Sequence, residues 1–149
     1  NVTGARISFL VGRPDVIAAC KKLRTQIDFG MFLPVQKAAI AALTGPLDSV
    51  KRQCGEYQAR RDALCGGLRS IGWDVPNSHG SMFVWAPLPT GYTDSMAFCL
   101  ELIEKAGVIC TPGFSFGPSG EGYVRFALTL PVDRIEKAVK AIADSGMIH

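Results

Sequence analysis

Apolar positions recur at helical spacing in some stretches of this chain and at strand spacing in others. Ile7-Ser-Phe-Leu-Val11 reads as a short strand, closed by Gly12-Arg-Pro14. Pro14 and Asp15 suit a helix start, and a helix is predicted to about Ile27 with Val16, Ile17, Cys20, Leu23 and Ile27 on one face. Phe29-Gly-Met-Phe-Leu-Pro34 interrupts it with a loop apolar enough to be covered. Val35 to Leu43 is an Ala-rich helix ended by Gly45-Pro46. A long helix follows from Leu47 to about Ser70, with a seam of Leu47, Val50, Cys54, Tyr57, Leu64, Leu68 and Ile71. Arg61 and Gly66-Gly67 interrupt that seam and argue against a coiled coil. At ~1.5 Å per residue the helix can cross from one structural body to another.

The pattern changes after Gly72. Trp73-Asp-Val75 is predicted as a short strand, Pro76 to Gly80 as a turn, and Ser81 to Pro87 as a strand apolar on both faces, which suggests a central position. Thr93 can cap a helix that runs to Ala106 and stops at Gly107. Val108 to Thr111 and Tyr123 to Leu130 read as strands, and about Val132 to Ser145 as an amphipathic helix with Ile135, Val139 and Ile142 inward. The order is that of a small two-layer α+β unit. A boundary falls near Gly45-Pro46, giving 1–45 to one body, 46–71 to a linking helix and 72–149 to the α+β domain.

Composition narrows the class. The 149 residues are 48% hydrophobic and 19% charged, values of a globular chain that can bury a core. The net charge is +3 and no run of Lys or Arg exceeds two, so no nucleic-acid or membrane-surface footprint is present. No apolar run approaches the roughly 20 residues of a membrane span. The five cysteines (20, 54, 65, 99 and 110) form no CxxC pair, so the expectation is reduced, buried thiols in a cytoplasmic protein, with no zinc site. Asn1-Val-Thr-Gly is no signal peptide and reads as the interior of a longer chain.

Candidate chemistry concentrates between Pro112 and Leu130. Its first half, Pro112 to Gly122, holds four glycines and two prolines, which excludes a helix; its second is an apolar strand with one charge, Arg125. A buried arginine needs an anionic partner. Two readings stay open: an ion pair with a nearby Asp or Glu, or a fork that grips a ligand carboxylate. No self-sufficient catalytic set accompanies it. His79 lies in a turn and His149 ends the chain. Phe116-Gly-Pro-Ser-Gly-Glu-Gly122 precedes a strand rather than a helix and lacks the Lys-Ser/Thr of a phosphate loop.

Several segments, in order and spacing, resemble the C-terminal part of pyridoxal-phosphate-dependent aminotransferases of fold type I, the aspartate-aminotransferase-like class I/II group. They are Asn1-Val-Thr-Gly-Ala-Arg6 with the strand to Gly12, Tyr57-Gln-Ala-Arg-Arg-Asp-Ala-Leu64, Pro76 to Gly80 with Phe83, Pro112-Gly113 with Phe116-Gly117, and Gly122-Tyr-Val-Arg125. The resemblance implies an α/β fold: a small α+β domain preceded by a linking helix and by a strand and helices of a larger domain. It further implies that Arg6 binds the cofactor phosphate and that Arg125 binds the substrate α-carboxylate. Phe32 would reach the neighbouring subunit's active site in a homodimer, and Gly113, Phe116 and Phe83 would shape the substrate pocket.

The same resemblance implies an amino-acid and a 2-oxo-acid substrate and pyridoxal phosphate as cofactor. The family's Schiff-base lysine is expected just upstream of Asn1, so the chain holds no catalytic residue and is expected to be inactive alone. Two neighbours of the same fold remain alternatives: a carbon–sulfur lyase, and the aminotransferase-like effector domain of a transcription regulator. No charged residue besides Arg125 is placed to read an acidic side chain, which favours substrates with neutral side chains.

Overall fold

Local signals suffice to start the helices, but only part of the chain builds a core. In the computed structural model, which describes residues 3–148, the chain divides into two units, Asn1–Ser49 and Val50–His149. The first contains α1 (Pro14–Arg24) and α2 (Leu33–Thr44), each with a proline in its opening turn. Neither helix has a buried residue, and Phe9, Leu10, Val11, Leu23, Ile27, Ile40 and Leu43 are exposed. The strand predicted over Ile7–Val11 is not formed: no ladder pairs these residues among those described, and an unpaired strand leaves its backbone groups unsatisfied. The loop expected from Phe29 to Pro34 is shorter, because Leu33 and Pro34 begin α2.

In the second unit, α3 (Asp48–Ser70) contributes Leu64, Cys65 and Leu68 to the core. The predicted seam therefore holds only over the last turns, while Leu47, Val50 and Cys54 are exposed. Gly67 lets α5 (Val132–Asp144) come close: a Cβ there would stand 3.0 Å from both γ-methyls of Val139. Between them lie β1 (Phe83–Pro87), α4 (Ser95–Ala106), β2 (Thr111–Pro112) and β3 (Tyr123–Ala127). The cap of α4 is Asp94 rather than Thr93; its Oδ1 accepts from the Met96 and Ala97 amides at 2.9 Å. The helix stops at Gly107 as predicted, and α5 buries Ile135, Val139 and Ile142 as its spacing required.

The sheet is antiparallel in the order β1-β3-β2, so β1 is an edge strand, not the central one expected. Its second apolar face is not sandwiched between layers: Phe83 is half-buried and Trp85 exposed, both facing the side away from the core. The edge position also accommodates Pro87, which cannot donate to a ladder. Trp73–Val75 is not a strand either; these residues are held by side chains instead. Arg69 donates to the Val75 carbonyl at 2.6 Å, and the Trp73 indole donates to the Pro87 carbonyl at 2.8 Å. Trp73 packs edge-on against Phe98 and Phe126, at 5.4 and 5.7 Å between ring centroids, in the middle of the core. The strand predicted over Val108–Thr111 is reduced to β2.

Candidate functional site

Alternation along β3 turns Val124 and Phe126 into the core and Tyr123, Arg125 and Ala127 to the other face of the sheet. Arg125 sits in the central strand, opposite Trp85 of β1 and Thr111 of β2. Its guanidinium carbon lies 4.2 Å from the centroid of Phe83 and 4.4 Å from that of Phe116. Trp85 continues the aromatic set, edge-on to Phe116 and stacked on Tyr123, each at 5.6 Å.

The Arg125 side chain makes no ion pair or hydrogen bond to the described residues, and its Nε is buried without a partner. Among the described residues, then, no internal carboxylate neutralises it. An orphaned buried donor costs about 1–3 kcal/mol, while a desolvated cation–π contact returns ~2 kcal/mol. The rings can thus hold the charge in place without neutralising it. A guanidinium kept in this state is suited to a carboxylate, which it can meet with two parallel N–H···O bonds.

The turn that carries Phe116 is locked from two sides. Pro112–Gly122 is irregular as expected, but it contains two short 3-10 turns, Gly113–Phe116 and Pro118–Gly120. Gly113 and Gly120 stand back to back: a Cβ on Gly113 would come 2.0 Å from the Gly120 carbonyl oxygen, which no side chain can do. Gly113 is buried, so its place in the site is to close this turn rather than to present a surface. The buried Ser95, at the start of α4, accepts from the Phe114 amide at 3.3 Å. Glu121 accepts from the Ser95 amide at 2.7 Å and the Gly122 amide at 3.0 Å, and these backbone donors, Gly122 foremost, hold its carboxyl below the usual range.

Of the residues singled out by sequence, Arg125, Phe116, Gly113 and Phe83 come together in the second unit. Arg6 and Phe32 lie in the first, and both are exposed. Arg6 follows a 3-10 turn and has φ 48°, a left-handed backbone that costs a non-glycine residue about 1–3 kcal/mol. An exposed guanidinium fits a phosphate group chemically. The roles of Trp85, Tyr123, Ser95 and Glu121 were not anticipated. The i, i+2 spacing of Tyr123 and Arg125 was the one available signal that they share a face.

The cysteines only partly meet expectation: Cys65, Cys99 and Cys110 are buried thiols, whereas Cys20 and Cys54 are exposed. Burial pushes the Cys99 and Cys110 thiols up, away from thiolate chemistry. Among the described residues no group of three or more His, Cys, Asp or Glu converges on a metal-sized site. No helix among them is long and apolar enough to cross a membrane.

A three-stranded antiparallel sheet backed by helices, with an arginine presented between rings on its open face, defines a small two-layer α+β domain. The sequence profile "Aminotransferase class I and II" matches residues 1–142, and the chain belongs to that family. It is 43% identical over 147 residues to an LL-diaminopimelate aminotransferase of Halothermothrix orenii, covering 99% of this chain and 38% of the relative. Its fold matches apo-BacF of Bacillus subtilis with a TM-score of 0.87 at 30% identity, over 95% of this chain and 36% of the other. An aminotransferase from Staphylococcus aureus matches at 0.84 and 34% identity, over 95% and 38%. The chain spans less than two-fifths of the length of these relatives.

Proposed function

We propose that the full-length protein is a pyridoxal-phosphate-dependent aminotransferase, and that this chain supplies its carboxylate and phosphate anchors. One observation carries the reading: the Arg125 guanidinium, flanked by Phe83 and Phe116, has no anionic partner among the described residues. Arg125 binds the α-carboxylate shared by the amino acid and the 2-oxo acid. The same site therefore serves both halves of a ping-pong exchange, since that group is unchanged between them. Arg6 holds the phosphate of pyridoxal phosphate. When bound, that cofactor supplies the electron sink that makes the α-carbon acidic. A proton-carrying lysine is expected outside this chain.

The relatives named LL-diaminopimelate aminotransferases suggest a substrate of that kind. Diaminopimelate ends in a second amino-acid group whose charges cancel. It fits the expectation of a side chain without net charge. A dimer in the cytoplasm, with Phe32 directed to the neighbouring subunit, completes the proposal.

The decisive experiment is steady-state transamination by the full-length protein with Arg125→Lys and Arg125→Leu. Loss of the fork should raise KM for both substrates, about tenfold for Lys and about a hundredfold for Leu. Unchanged KM in both variants would refute the assignment.

A further inference from the structure

Arg125 is fixed by contacts that a carboxylate anchor does not strictly require. An arginine on an open sheet face ordinarily samples many rotamers, and ordering it on binding opposes affinity. Here the guanidinium is already flanked by two rings from separate elements. Phe83 opens β1, in register with Ala127, and so stands diagonal to Arg125 on the same face. Phe116 closes the 3-10 turn after β2, and that turn is held by the Gly113–Gly120 contact and by Ser95. Trp85 packs edge-on to Phe116. Nε is buried, so the donors that a ligand meets are the two terminal amino groups.

We infer that Phe83 and Phe116 are positioning residues that clamp the Arg125 guanidinium by their ring faces, so that its terminal nitrogens are oriented for a carboxylate before substrate arrives. The inference rests on the reading that Arg125 binds the substrate carboxylate. It assigns the rings a role beyond lining a pocket: their π-electrons, not only their bulk, hold the cation. Because the carboxylate is bound alike in ground and transition states, loss of the clamp weakens binding and spares the chemical step.

The test uses the full-length protein with cofactor bound, and compares Phe83→Leu, Phe116→Leu and Phe116→Tyr with Arg125→Leu. Each Leu variant should raise KM about tenfold for both substrates with kcat within about twofold, while Phe116→Tyr stays near wild type. Replacing Phe116 by phenylalanines of increasing ring fluorination drains the π-face at nearly constant shape. KM should climb with each step, a response that a purely steric role would not produce. If Arg125→Leu raises KM but neither the Leu variants nor fluorination does, the clamp is wrong and the carboxylate assignment survives. If Arg125→Leu leaves KM unchanged, the assignment fails and the clamp with it. A parallel fall of kcat and melting temperature, with no recovery in the Tyr variant, would make the rings structural and overturn the inference.

Discussion

Arg125 is placed where function and stability oppose one another. The fold leaves its Nε without a hydrogen bond, and the flanking rings return no more than an amount comparable to that cost. Methionine is unbranched, close in length, and makes its own favourable sulfur–aromatic contacts with such rings. Arg125→Met should therefore leave the melting temperature unchanged or raise it, while carboxylate binding is lost. Differential scanning calorimetry beside a substrate-binding assay measures both. A drop of more than about 1 kcal/mol in stability would mean that the arginine is held for structural reasons.

At the scale of elements, the turn bearing Phe116 depends on a carboxylate. Glu121 accepts from the first amide of α4 and from the Gly122 amide, and those bonds, Gly122 foremost, hold its carboxyl below the ordinary carboxylate range. A depressed folded-state pKa adds stability above the unfolded value, and that contribution is lost as pH falls through the folded one. The melting-temperature gap between wild type and Glu121→Gln should therefore be open at neutral pH and close below about pH 4.5. A gap that persists in acid would show that the carboxylate charge is not what holds the turn.

The sequence anticipated the helices well because their signals are local: Pro14, Gly107 and the Ile135-Val139-Ile142 stripe act within a turn or two. It misplaced strands, because pairing depends on partners far along the chain. Ile7–Val11 finds none among the described residues, and β1 reads as central because both its faces are apolar, although Phe83 and Trp85 turn toward Arg125 and Phe116. Arg125 itself stood out from composition alone, whereas the Ser95–Glu121 latch spans 26 residues and left no local trace.

For the molecule as a whole, the two units differ in what holds them. Val50–His149 encloses Trp73, Phe98, Leu102 and Leu128 at 1% exposure or less, whereas no described residue before Val50 is buried. Helices α1 and α2 are 11 and 12 residues long, near the length at which an isolated helix is marginal in water. In this 149-residue chain they should open readily and expose Arg24 and Lys37, while the second unit keeps its core closed. Limited trypsin digestion should then cut within the first unit or at its end and leave a resistant fragment whose N-terminus follows Lys37, Lys51 or Arg52. In the full-length protein, the exposed apolar residues of α1 and α2 need a cover, and the same bonds should resist cleavage. Mass spectrometry of both digests separates the cases. Equal protection of Arg24 and Lys37 in the short chain would show that the first unit is stable by itself, against the burial on which this expectation rests.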